Sequence, residues 1–374
     1  MEEPSNFTQL ESHGEDDQPL PNEGTDHKVA KMTMIGLYVI IFLFSLVGNS
    51  LIFHLVRTRK SIRKNQFYWL IVNTAVADLM DVVTASAFSV AYFLYEERWG
   101  LGAFGAFLCK IIPFLLVTSI CAAIWTLTVI AVDRYLVIVC LRRRALSSRS
   151  VLCSICAVWL CAALVSIGQL YKFKMETEDD GTAYCIDEWN DQSAETSLLI
   201  YRTEMVTRVV ITYAIPLFVI AILYFLIARF LWKRKPPVSV NQHAYNNQIR
   251  KRKTVIKMLI TVVTVFAVCW FPVHVSHIMS KFHQDAYSDI PEVLRWLFFW
   301  LAHANAAIHP WLFIAFSEHL REGTKEIFRD MCKPNQLRLR HGSTPSLATV
   351  NDPLSRSVTP PKGSVRGRAE RLLS

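Results

Sequence analysis

The 374-residue chain carries 52% hydrophobic and only 19% charged residues, with a formal net charge of +9 and a pI near 9.1. It is too apolar for a disordered chain, and its apolar residues fall in long blocks rather than being spread as in a soluble domain. That is the pattern of membrane-spanning helices, and the positive balance then belongs to loops at a membrane surface and calls for no nucleic acid partner.

Residues 1–31 form an acidic polar tail without the charged-then-apolar pattern of a signal peptide, and Asn6-Phe7-Thr8 is a glycosylation sequon. Seven apolar blocks follow: Met32 to Val56, Phe67 to Leu94, Phe104 to Cys140, Val151 to Leu170, Val206 to Trp232, Val255 to Met279 and Val293 to Phe316. Each supplies the roughly 20 helical residues that cross a hydrocarbon core of about 30 Å. The expected fold class is therefore an all-α membrane protein, a seven-transmembrane helix bundle over residues 32–316. The tail over 331–374, rich in Ser, Thr, Pro and Arg, reads as disordered.

The loops alternate in charge. Arg57, Arg59, Lys60, Arg63 and Lys64 follow the first block, Arg142, Arg143, Arg144 and Arg149 the third, Lys233 to Lys253 the fifth, and Arg321, Lys325, Arg329 and Lys333 the seventh. The opposite loops hold Glu96 and Glu97, then Glu176, Glu178, Asp179, Asp180, Asp187 and Glu188. The positive-inside rule places the N-terminus outside the cell and the C-terminus in the cytoplasm, in a multi-pass protein of the plasma membrane.

Of nine cysteines, Cys121, Cys153, Cys156, Cys161 and Cys269 lie within blocks and read as small apolar packers. Cys109 and Cys185 fall on the oxidising side, so a disulfide between them is expected. Cys332 is a candidate for palmitoylation. There is no nucleophile–base pair and no metal-ligand cluster, so neither an enzyme nor a cofactor is expected.

Polar residues punctuate the blocks at particular places: Gly48-Asn49, Asp78, Asp133-Arg134-Tyr135, Trp159, Pro216 with Tyr224, Phe266 to Pro272 ("FAVCWFP"), and Asn305 with His309-Pro310. In this order and spacing they resemble a class A (rhodopsin-like) G protein-coupled receptor. The resemblance covers about Met32 to Arg329 and is most like that of neuropeptide receptors. It implies that Asp133, Arg134, Tyr135 and Tyr224 form the G protein switch. It further implies that Ile124, Pro216, Phe266, Trp270 and Pro272 connect ligand to cytoplasmic face, and that Asn49, Asp78, Asn305, His309 and Pro310 form a polar network at mid-membrane. Trp99-Gly100-Leu101-Gly102 resembles the family's first outer-loop motif, and residues 317–330 would be an amphipathic eighth helix. Heterotrimeric G proteins, arrestin, receptor kinases and membrane lipids are the implied partners, with Ser343, Thr344, Ser346, Ser355, Ser357 and Thr359 as candidate phosphorylation sites.

Several positions depart from the family. Ala123 replaces a sodium-pocket serine, Arg252 an acidic latch partner, and Leu141 an inner-loop proline. His309 and Phe313 alter the Asn-Pro-x-x-Tyr motif of the seventh helix. His309 is expected either to pair with Asp78 in place of a sodium ion or to bond Asn305 or water. Leu116 stands where amine receptors carry an aspartate, and His303 where opsins carry the retinal lysine.

The remaining pocket candidates are Val117, Ile120, Phe298, Phe299, Gln169, Glu204, Arg208, His274, His277 and Arg295, with Glu204 and Arg208 one turn apart and able to pair. The acidic outer loop, in a form that peptide receptors often fold as a hairpin, favours a cationic amidated peptide as ligand. An anionic small molecule held by Arg208 and Arg295, protons sensed by the histidines, and a seven-helix transporter are the alternatives.

Overall fold

The computed structural model describes residues 23–95, 98–100, 102–140, 146–179, 181–189, 194–233 and 242–332. The sequon at Asn6, Leu101, Leu141, Pro236-Pro237 and the candidate phosphorylation sites lie outside the described residues. A first unit runs to Phe328; of the second, only Arg329–Cys332 are described.

In chain order the elements are α1 (Glu23–Thr58), a short α2 (Lys60–Arg63), α3 (Gln66–Tyr95), α4 (Gly102–Ile138), α5 (Ser148–Lys172), and a hairpin of β1 (Phe173–Thr177) and β2 (Ala183–Asp187). Then come α6 (Ala194–Val209), a π turn (Val210–Ala214), α7 (Ile215–Lys233), α8 (Gln242–Phe282), α9 (Gln284–Ser288), α10 (Glu292–Phe316) and α11 (Glu318–Met331). Among the described residues seven stretches are long and apolar enough to cross a bilayer: α1, α3, α4, α5, α6 with α7, α8 and α10. The fold is thus a seven-helix bundle, and α11 follows it with one buried face of Leu320, Gly323 and Thr324.

The helices outrun the apolar blocks. α6 begins well before Val206, α8 well before Val255, and α1 nine residues inside the segment read as a tail. Once a helix is nucleated in lipid, adding a turn in water costs little, so charged residues continue it past the hydrocarbon layer. Cys153, Cys156 and Cys161, expected as packers, lie exposed on α5, whereas Cys121 and Cys269 are buried. An apolar thiol suits lipid as well as a core, so composition did not distinguish the two faces.

Three prolines shape the bundle through the donors they lack. Pro216 cannot bond the carbonyl four residues back, and the turn before it widens: the Ile215 amide donates to Val210 O, and Trp125 Nε1 of α4 takes the Ile211 carbonyl at 3.2 Å. Pro310 frees the Ala306 carbonyl, which accepts from Ser45 Oγ and Asn49 Nδ2 of α1, both at 3.4 Å. Pro272 lies inside α8 and denies the Val268 carbonyl its amide, and Tyr213 OH donates to the neighbouring Ala267 carbonyl at 2.8 Å. Gly48 lets α1 approach this hinge, since a Cβ there would sit 2.7 Å from Pro310 Cγ.

One hydrophobic core runs the length of the bundle and joins Ile124, Ile130, Ile220, Tyr224, Phe266, Trp270 and Phe313. Polar bonds stitch the same helices: Trp159 Nε1 donates to Asn73 Oδ1 at 2.9 Å, and Asn73 Nδ2 to Thr126 Oγ1 at 2.8 Å.

Candidate functional site

The hairpin end is built first. β1 and β2 pair antiparallel with Met175 opposite Cys185, and Gly181 turns the chain at φ +83°. Cys185 is bonded to Cys109 in the first turns of α4, with Cα atoms 5.7 Å apart. The disulfide expected from the two outer cysteines is present. The Trp99 amide donates to Ala183 O at 2.6 Å and its indole to Gly105 O at 2.7 Å, so the loop before α4 is also tied to the hairpin.

Beneath the hairpin, α5 and α6 meet in a charged cluster. Glu204 accepts from Gln169 Nε2 at 2.9 Å and from Lys172 Nζ at 3.4 Å, and lies 3.6 Å from Arg208. Lys172 is buried and also faces Asp187 at 3.5 Å. The Glu204–Arg208 pair read from the sequence forms, but Glu204 is shared among three partners. Lys172 was missed because a lysine closing an apolar block reads as loop; its burial depends on acids supplied by other elements. The Arg208 charge reaches His274 and His277 on α8 and Cys121 on α4. His277 packs edge-on against Phe299 of α10, with ring centroids 5.2 Å apart. One turn earlier on α10, Arg295 lies over the Tyr287 ring at 4.8 Å while its Nε finds no acceptor. Ile120, Phe298 and Phe299 pack onto the core and Val117 onto a smaller cluster of α3, α4 and α5; Leu116 is half-buried on α4.

Trp270 forms the floor. It stacks on Phe266 at 5.9 Å, meets His274 at 5.7 Å and stands edge-on to His303 at 5.6 Å. His303 does not face the wall freely. Its Nδ1 lies 3.1 Å from Asp81 Oδ1, with both groups buried. Deeper still, His309 Nδ1 lies 3.2 Å from both oxygens of Asp78, and these side chains are 0% and 2% exposed. Two rungs of the same kind therefore join α3 to α10. Asp78 and Asp81 are three residues apart and share a helix face, so the second rung was readable once the first was drawn.

The geometry decides between the two partners expected for His309: it faces Asp78, while Asn305 Oδ1 has no protein partner. Asn49 bonds Ser45 and Ala306 rather than Asp78. The residues present do not fit a sodium ion. Both oxygens of Asp78 face an imidazole, and Ala123 offers no hydroxyl.

At the α11 end, Asp133 and Arg134 pair through both Nε and Nη2 of the guanidinium. The second oxygen of Asp133 accepts from the Leu146 amide at 2.9 Å, and Arg134 rests over the Phe67 ring at 4.4 Å. Tyr135 packs against the core, and Tyr224 lies within electrostatic reach of Arg134. Arg252 has no acid opposite it among the described residues, whereas its neighbour Lys251 faces Glu318 of α11 at 3.8 Å. Cys332 is exposed just past α11. No group of three or more metal-ligating side chains exists among the described residues.

Comparison with known proteins agrees with this frame. The family model described as "7 transmembrane receptor (rhodopsin family)" matches residues 48–313. The Substance-K receptor of Canis lupus familiaris is 28% identical over 320 residues, which cover 83% of this chain and 80% of that protein. The Substance-K receptor of Mus musculus is 29% identical over the same shares, and the Substance-P receptor of Cavia porcellus is 27% identical over 78% of this chain and 70% of its own. Seven spanning helices, the disulfide over their mouth and a family match across most of the chain lead to one assignment: this chain belongs to the rhodopsin family of seven-transmembrane receptors, a multi-pass cell-membrane protein that signals through G proteins and is not an enzyme.

Proposed function

We propose that the protein is a neuropeptide receptor of the plasma membrane, with its N-terminus and hairpin outside and its C-terminal tail in the cytoplasm. The carrying observation is the hairpin, a two-stranded ribbon held to the first turns of α4 by Cys109–Cys185. Its exposed Glu176, Glu178 and Asp179 give that mouth a negative field suited to a cationic peptide. The relatives, named as receptors for substance K and substance P, support a peptide over an amine or a chromophore. The absence of a pocket aspartate at Leu116 and of a lysine at His303 points the same way.

The inner switch is Arg134, held at rest by Asp133 and Phe67 and released toward the G protein when α8 swings about Pro272. His309 takes the place of a sodium ion as the partner of Asp78. Arrestin, receptor kinases and tail phosphorylation belong to the same proposal, as do glycosylation at Asn6 and palmitoylation at Cys332.

The test is nucleotide exchange on purified G proteins by the reconstituted receptor, challenged with pools of cationic peptides. Exchange driven by one pool and lost in Arg134→Ala supports the reading. Exchange driven only by amines, or only by a fall in pH with no peptide, overturns it. The histidine part is tested by unfolding temperature in sodium against choline: no difference is expected in the wild type, and a sodium-specific rise of several degrees would remove it.

A further inference from the structure

The outer half of the bundle has more donors than it has acceptors to meet them. Glu204, the carboxylate beneath the hairpin among the described residues, is already shared by Gln169, Lys172 and Arg208. Arg208 carries five N–H groups, yet among the described residues its one charged partner is that shared oxygen at 3.6 Å, too long for a hydrogen bond. Trp270 Nε1 on α8 and Arg295 Nε on α10 are buried donors without an acceptor among the described residues, and His274 Nδ1 and Ser276 Oγ of α8 are also without a partner there. Asp81, the next acid inward, is occupied by His303.

Charge gives the same answer as hydrogen-bond capacity. Lys172 and Arg208 outnumber Glu204 by one positive charge before Arg295 is counted, and Asp187, which also faces Lys172, stands at the exposed rim. A ligand cation reaching this depth would have to displace Lys172 or Arg208 from Glu204 and leave a charge buried without a partner. A ligand amide would bring two more donors to a place already rich in them. A carboxylate brings only acceptors, and its planar pair of oxygens matches the guanidinium fork.

We infer that the end of the ligand that enters the bundle is a carboxylate bound by Arg208, carried on an apolar or aromatic residue that packs against Phe299 and Ile120. This inference rests on the peptide-receptor reading and refines it: the ligand's cationic residues stay at the acidic hairpin, while its acidic end, a free C-terminus or a side-chain carboxylate, goes in. It replaces the amidated end expected from the sequence, because that expectation rested on the acidic outer loop alone and left the donors beneath it uncounted.

The smallest ligand fragment with this chemistry is N-acetyl-L-phenylalanine, and its neutral control is N-acetyl-L-phenylalanine amide. Both are titrated against the purified full-length receptor in nanodiscs, with unfolding temperature as the readout. The carboxylate is expected to stabilise saturably and to bind about tenfold more tightly than the amide, the size of one charge-assisted hydrogen-bond pair. Arg208→Gln abolishes that preference, and Arg208→Lys, which keeps the charge but loses the fork, retains part of it.

Failure of both probes to bind overturns the inference, as does equal or tighter binding of the amide. A carboxylate preference that survives Arg208→Gln does the same. Should Arg208→Gln fold poorly, Arg208→Lys together with the wild-type carboxylate-to-amide ratio still decides. Nucleotide exchange by the same preparation reports on the receptor reading separately. A peptide agonist whose amidated form is active and whose free acid is not would sink the carboxylate while leaving the peptide receptor intact.

Discussion

The middle of the bundle and its hairpin end solve the burial of charge in opposite ways. In the middle, each carboxylate of α3 has its own imidazole from α10, Asp81 with His303 and Asp78 with His309, and among the described residues no further side chain hydrogen-bonds either acid. At the hairpin end one carboxylate serves three donors, and other donors remain unmet. A matched pair is a piece of structure whose carboxylate is met from within, although His309 Nε2, Asn49 Oδ1 and Asn305 Oδ1 around it have no partner among the described residues. A donor-rich cluster is an unfinished one, completed when an acceptor arrives from outside. The contrast separates what holds the receptor together from what makes it bind.

The largest effect should come from breaking a matched pair. His309→Ala leaves Asp78 buried without a partner, a situation that costs about 3–5 kcal/mol. It should lower the unfolding temperature of the purified receptor strongly, and His303→Ala should act in the same direction. Replacing both members, as in Asp78→Leu with His309→Leu, should recover most of the loss, so that the double-mutant cycle shows strong coupling. Arg208→Gln, in contrast, removes one long ionic contact of a partly exposed side chain and should cost less than about 1 kcal/mol. Equal losses for His309→Ala and Arg208→Gln would erase the distinction between the two regions.

A second change probes how closely the middle is packed. Gly48→Ala places a methyl group 2.7 Å from Pro310 Cγ and 3.0 Å from Trp311 Nε1. Overpacking of this kind costs about 1–3 kcal/mol. It should also push α1 away from the Ala306 carbonyl, so hydrogen exchange around Ser45 and Asn49 should quicken. Unchanged stability and exchange would mean that the contact between α1 and the α10 hinge is loose.

The two regions were not equally legible in the sequence. The seven spans and the disulfide partners follow from apolar length, charge alternation and the sidedness of cysteines, each a property of local sequence. Helix ends did not, since α6 and α8 continue through charged residues that block length excludes. In the middle, His309 and Asp78 could be matched because the family resemblance placed both in one polar network at mid-membrane. The rung of His303 and Asp81 was missed because His303 was assigned to the pocket wall by its place on α10. At the hairpin end, the residue list was largely in hand, but partnership was not. Whether Glu204 is free depends on Lys172, whose position is fixed by the α5–β1 junction and by Asp187 across the hairpin. That is long-range geometry, which spacing along α6 alone does not show.

The smallest change tests the hairpin end alone, and its two readouts should move in opposite directions. Glu204→Gln keeps an acceptor for Gln169 and Lys172 but removes the charge that offsets Lys172 and Arg208. Lys172 retains Asp187 at 3.5 Å, so the loss of stability should be modest, about 1 kcal/mol. Arg208, relieved of its one charged partner among the described residues, then faces the ligand space with its full charge. Binding of N-acetyl-L-phenylalanine should therefore strengthen by about three- to tenfold, while binding of the amide should barely change, as expected for a like-sized loss of opposing charge at partial solvent exposure. If the amide gains as much as the carboxylate, Glu204 acts on the pocket through its shape. If the carboxylate instead weakens, Glu204 orients Arg208 rather than competing for it, and the donor-rich end is more finished than its unmet hydrogen bonds imply.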